Sequence, residues 1–178
     1  WRHVQRLGFW HSVLNGAAGF TYGANGIWQM NTQDRPFGPS PHGNTWGNVP
    51  WQRASQRPGS VHVGVGAKFM RQFPFWELRP APSIEGAAAN DNNPNTPIAA
   101  GIPKRLRIIY VPQLWGQPVV EGVERGVQWK AYYFDPTTGQ QHDLGAARPG
   151  LAGDWEAPFA PEVHDWVLVL IAQENPVV

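Results

Sequence analysis

Two kinds of side chain in this sequence have the chemistry to act on a ligand: tryptophans set in loops, and a sparse set of carboxylates. Ten of the 178 residues are Trp. An indole face stacks on the C–H face of a sugar ring and excludes water from it. Residues 1–76 contain a single acid, Asp34, and the next along the chain is Glu77. Cleavage of a glycosidic bond uses two flanking carboxyl groups, one of them protonated. This stretch does not supply that pair. The six His residues show no HxxxH-like ligand spacing, and His3, His11 and His62 fall in predicted helices and read as structural. There is no Cys, which excludes disulfides and thiolate metal sites. No metal and no cofactor is expected.

Composition narrows the partners. Fourteen Lys and Arg against 13 Asp and Glu give a formal charge of +1, and the basic residues are scattered. Nothing in that balance calls for nucleic acid or an anionic membrane. No run reaches the ~18 apolar residues of a membrane span. The N-terminus lacks the basic-then-apolar pattern of a signal peptide. A Cys-free chain suits a reducing compartment and equally a bacterial exported protein. The sequence opens at Trp1 in what reads as the middle of a helix, the expectation for a processed or truncated product.

These residues must be positioned by a few elements. Residues 1–15 carry Val4, Leu7, Trp10 or His11, and Leu14 at helical spacing, with Gly16 as the stop. Residues 17–23 follow, with the apolar run Ala18 to Tyr22 expected as a buried strand. Residues 23–57 are rich in Gly, Pro, Asn and Trp without periodicity, a long loop of the kind that is often functional. Residues 58–73 place Val61, Val65, Phe69 and Phe73 at helical spacing behind Pro58, although Gly64 and Gly66 oppose a helix. Residues 85–101 read as a linker or surface loop. From residue 102 the period changes to that of strands, with Asp135-Pro136-Thr137-Thr138-Gly139 as a turn and Asp165–Leu170 as a buried final strand. Strands without intervening helices imply an antiparallel sandwich over 102–178. Two helices and one strand cannot form a domain alone, so residues 1–84 are expected to complete a sheet supplied from outside.

The run Arg6-Leu7-Gly8-Phe9-Trp10-His11 through Gly16-Ala17-Ala18-Gly19-Phe20-Thr21-Tyr22-Gly23 to Gly26-Ile27-Trp28-Gln29 resembles the end of the apiosidase-like glycoside hydrolase barrels. Arg57-Pro58-Gly59 and Phe75-Trp76-Glu77-Leu78-Arg79-Pro80 look like that family's last barrel helix and its exit. Tyr110–Pro112, Phe134–Gly139 and Asp165–Leu170 are similar to motifs of its small C-terminal β domain, which is named for collagen binding. Phe20 and Ala24 depart from the family, standing where relatives often carry polar residues. The resemblance implies an α/β plus all-β chain. Residues 1–84 would be the closing β/α unit of a TIM-like barrel, with residues 17–23 as its eighth strand. It also implies a bacterial exported retaining glycosidase whose acid/base and nucleophile lie on earlier strands, before Trp1. A carbohydrate substrate and an N-terminal barrel portion, as a separate or cleaved chain, are the partners so implied.

Active sites of such barrels sit at the C-terminal ends of strands, which directs attention to Tyr22, Asn25, Trp28 and Trp46. Trp28 is read as sugar-facing, with a core Trp beneath the loop as the alternative. Tyr22 could hydrogen-bond a substrate hydroxyl or point outward into a helix. Asn25 could hold a sugar hydroxyl or cap its turn. Trp46, with Trp51 and His42, could wall a subsite or pin the loop. Asp34 and Arg35 are read as an exposed ion pair by default. In the second half, Trp129 and Trp166 are expected in the core or at the domain interface, and Trp155 is expected to be the most exposed of its Trp residues. Nothing in the residues indicates collagen recognition. The rival reading is a non-catalytic carbohydrate- or matrix-binding β-sandwich module, and a third is a structural assembly partner.

Overall fold

The computed structural model describes residues 2–35, 49–81, 93, 95–114 and 116–173. Helices come first: α1 (Arg2–Leu14), a short α2 (Trp51–Ala54) and α3 (Pro58–Met70), followed by a 3-10 turn over Phe75–Glu77. Eight strands follow: β1 (Arg79–Pro80), β2 (Ile98–Ile102), β3 (Leu106–Val111), β4 (Val119–Val120), β5 (Trp129–Phe134), β6 (Gln141–Ala147), β7 (Trp155–Glu156) and β8 (Trp166–Ala172). Six of them form one antiparallel sheet in the order β1-β2-β3-β8-β5-β6, and β4 pairs with β7 in a second, two-stranded sheet. No described helix is long and apolar enough to cross a membrane.

Both faces of the large sheet are covered, and this explains why its central strands read as nearly continuous apolar runs. Along β8, Trp166, Leu168 and Leu170 face a core shared with Val120 of β4 and Trp155 of β7, while Val167 and Val169 face the helices. Strand β3 divides the same way, with Ile109 and Val111 on one side and Ile108 and Tyr110 on the other. The first core gives the sandwich expected from the sequence. In the second, Phe9, Trp10 and Leu14 of α1 and Phe69 and Met70 of α3 lie on Tyr110, Phe134 and Val169. Trp10 stacks on Tyr110 at 5.8 Å and meets Phe69 edge-on at 5.6 Å. The large sheet crosses both expected boundaries: β1 comes from the stretch expected as the barrel unit, and β2 takes residues 98–101 from the stretch expected as a linker or surface loop, because Ile98 to Ile102 pair with β3.

Three expectations change. The segment 17–24, which contains the strand expected over 17–23, forms no strand, and residues 17–19 are exposed. A strand needs a partner edge, and among the described residues none pairs with it. The buried stripe of α1 is Arg6, Phe9, Trp10 and Leu14, with Val4 at 42% exposure; the helix turns toward the sheet along the face that carries Arg6. Trp155 is buried at 9% because β7 folds over the large sheet. The glycines of α3 have different roles. A Cβ at Gly66 would stand 2.5 Å from the Phe9 ring, so the bare backbone is what lets α3 approach α1. A Cβ at Gly64 would meet nothing.

Candidate functional site

The turn over residues 24–31 is built from its own side chains. Ile27 N donates to Ala24 O (2.9 Å), and Asn31 N donates to Gly26 O (3.1 Å). Gln29, buried at 8%, accepts from Gly26 N at 2.6 Å and donates through Nε2 to Asn25 Oδ1 at 3.0 Å. Gly26 holds φ of 100°, and a Cβ there would collide with the carbonyl of Val49, so this corner requires glycine. Asn31 is fully buried, and its carbonyl accepts from Trp51 N at 2.9 Å, which ties the turn to the start of α2. Neither Gln29 nor Asn31 is among the residues that the sequence singles out. Amide residues in an otherwise small and apolar turn were the available signal.

On this base the four candidates separate. Trp28 is half exposed, at 50%, with its Cβ and Cδ1 beside Gly23. It offers an indole surface at the end of segment 17–24. Met30, at 63% exposure and φ of 54°, stands two residues further on. Tyr22 is half-buried and its hydroxyl lies against α3: a Cβ on Gly59 would be 3.2 Å from it. This is the helix-facing alternative for Tyr22. The Asn25 side-chain oxygen is engaged by Gln29 within the turn. Trp46 and His42 lie outside the described residues. Trp51 opens α2 and is exposed, and Asp34 and Arg35 are exposed. Among the described residues no three His, Asp or Glu side chains come together as a metal site.

The strongest electrostatic arrangement joins the helices to the large sheet. Arg6 donates to Asp165 through Nε (2.7 Å) and Nη2 (2.6 Å), a bidentate pair in which both residues are buried. Tyr110 donates its hydroxyl to Asp165 Oδ2 at 3.0 Å, and Arg6 Nη1 donates to His62 Nδ1 at 2.9 Å. Burial works against the guanidinium charge, but Asp165 outweighs it and raises the Arg6 pKa. Burial and then the Asp165 charge push the Tyr110 hydroxyl well above its ordinary value, so it stays a donor. Four residues thereby join α1, α3, β3 and the start of β8. Sequence reading quoted Arg6 and Asp165 in two separate motifs and did not pair them. The signal was a charged residue one helical turn before Trp10, on the face that carries Trp10 and Leu14.

A second junction is the turn after β5. Asp135 accepts from Thr137 N (2.7 Å), Thr137 Oγ1 (2.6 Å) and Thr138 Oγ1 (2.7 Å). Burial tends to raise its pKa, but these donors bring it below the ordinary value. Gly139, at φ of 81°, closes the turn next to Val65 of α3.

Comparison with known proteins bears on this arrangement. Residues 2–77 match the family model described as apiosidase-like, catalytic domain. A solved structure titled "Glycoside hydrolase" has a TM-score of 0.76 at 22% identity over 99% of this chain and 38% of its own. The crystal structure of a glycoside hydrolase family 5 from Bacteroides vulgatus ATCC 8482 gives the same TM-score and identity, over 99% of this chain and 37% of its own. At that identity the likeness establishes the fold. The chain spans less than two-fifths of either structure. No curated protein matches the sequence.

Proposed function

We propose that this relative of the apiosidase-like glycoside hydrolases is the C-terminal portion of a glycosidase. In this reading α1, segment 17–24 and α3 complete a catalytic barrel whose remaining strands come from a preceding portion. The observation that carries it is the segment itself. It lies between two helices that are anchored to the sheet, it falls within the catalytic-domain match, and it finds no strand partner among the described residues. Lengths agree with this, since solved relatives have more than half their chain outside the matched part.

In the completed barrel the turn 24–31 stands at the sugar-binding face. Trp28 gives the substrate ring an apolar wall. Tyr22, Asn25 and Trp46 are the other substrate-binding residues of this reading. The resting geometry gives Asn25 and Tyr22 supporting parts, one holding the turn and one packing beside Gly59. The two catalytic carboxyl groups are supplied by the preceding portion. A retaining mechanism would hold them ~5–5.5 Å apart. The single acid of residues 1–76, Asp34, is exposed and belongs to neither role. Weighing against the free-standing module is the Arg6–Asp165 lock, which commits one face of the sheet to helices of the catalytic match.

The test is Trp28→Ala in the protein that includes the preceding portion. Because the indole is half exposed, the fold should survive, while kcat/KM falls by roughly tenfold or more. Asp34→Asn in the same protein should turn over like the parent. Unchanged turnover and affinity in Trp28→Ala removes Trp28 from the site, and loss of activity in a folded Asp34→Asn protein overturns the assignment of the carboxylates.

A further inference from the structure

We infer that a groove at the beginning of segment 17–24 is a second carbohydrate subsite, built on Trp76 and separate from the surface that carries Trp28. After α1 ends, Gly16 turns the chain at φ of 88°. The exit of α3 comes alongside through the 3-10 turn. Between these runs lies a groove of about 470 Å3, with Asn15, Gly16, Phe75, Trp76, Arg79 and Pro80 among its walls. That volume falls within the ~300–1,000 Å3 range of small-molecule sites.

Its walls have the composition that sugars select. Trp76 is 68% exposed and Phe75 42%. Their rings are 5.4 Å apart and nearly perpendicular, at 74°, so they form a corner of two apolar planes. Left in water, such surfaces sacrifice the stabilisation that burial would give them; a stacked sugar face recovers it. Donors and acceptors stand beside the corner. Arg79 Nη1 donates to the carbonyl of Leu78 at 3.1 Å, which fixes the guanidinium beside the turn that holds Trp76. Its other N–H groups are suited to ring hydroxyls. Asn15 Nδ2 donates to His11 O at 2.9 Å, which orients the amide and leaves its oxygen as an acceptor. Among the described residues no acid lines the groove, and neighbouring Glu77 pairs with Arg105 at 2.9 Å. In this proposal the groove holds a carbohydrate chain by stacking and hydrogen bonding and takes no part in cleavage. The choice of ligand class rests on the glycosidase reading.

The test is native affinity electrophoresis of the full chain in gels cast with xylan, pectin or mixed-linkage β-glucan. One of the three should retard the parent chain. Trp76→Ala should bind roughly tenfold more weakly or worse, and Arg79→Ala should lose part of the retardation. Trp76 is exposed, so unfolding does not cloud the result, and circular dichroism checks this. Free migration in all three gels, or a Trp76→Ala chain retarded like the parent, overturns the subsite. So does a Trp76 fluorescence that responds to the preceding polypeptide portion but to none of the polysaccharides, because a protein segment would then fill the groove. A chain that is not retarded while Trp28→Ala still lowers kcat/KM sinks the subsite alone. Retardation through Trp76 alongside normal turnover of Trp28→Ala removes Trp28 from the catalytic site and leaves the subsite standing.

Discussion

Residues 17–23 and strand β8 were both expected as buried strands, and they end differently. Strand β8 pairs with β3 on one side and β5 on the other, and from Trp166 to Leu170 it is buried on both faces. Segment 17–24 has neighbours in sequence that are well anchored, yet it forms no ladder, and residues 17–19 are exposed. The difference lies in what each is offered. A strand is a property of a pair of edges, because its backbone donors and acceptors must be satisfied by another strand. The apolar pattern records the intended environment, whether or not the partner is part of the same chain.

The largest way to break this contrast acts where β8 begins. Asp165→Ala strands the buried Arg6 charge and leaves the Tyr110 hydroxyl without its acceptor. The expected loss is about 3–5 kcal/mol, read as a lower urea midpoint. Pairing Arg6→Met with Asp165→Leu should recover much of it, since apolar residues of similar volume often replace a buried ion pair at little cost. A loss below about 1 kcal/mol in the single variant would mean that the pair does not hold α1 to the sheet.

A smaller effect separates the two glycines of α3. Gly66→Ala forces a methyl into the Phe9 ring and should cost about 1–3 kcal/mol. Gly64→Ala has open space and should stabilise by about 0.4–1 kcal/mol. Thermal melts of the two variants should move in opposite directions. If both rise, the α1–α3 contact is looser than described.

The smallest effect is a shift in acid sensitivity. The Asp135 pKa is depressed in the folded state. Its contribution is therefore present above the unfolded value of about 3.9 and is lost as pH falls through the lower, folded value. Thr138→Ala removes one donor, so the folded pKa rises and acid unfolding should begin at higher pH. Superimposable fluorescence-monitored acid titrations of the parent and Thr138→Ala would contradict this.

Much of the fold was legible because it is written in local patterns. The α3 start at Pro58, the Asp135 turn and the apolar run of β8 each follow from neighbours in sequence. What was not legible depends on distant residues. Arg6 and Asp165 are 159 positions apart, and no periodicity links them. Trp155 is buried only because β7 pairs with β4 over the large sheet. Val4 at the head of α1 fits a helical stripe, but the docked face is set by where Trp10 meets Tyr110. At the candidate site, the exposed position of Trp28 followed from its loop. The internal bonding of Asn25 and Gln29 required knowing how the turn closes.

Amide hydrogen exchange over residues 17–23, compared between this chain alone and the protein that includes the preceding portion, bears most directly on the central claim. The account predicts fast exchange in the chain alone, against slow exchange in β8, and protection approaching that of β8 once the preceding portion is present. Protection of residues 17–23 in the isolated chain, or fast exchange in the longer protein, would contradict it.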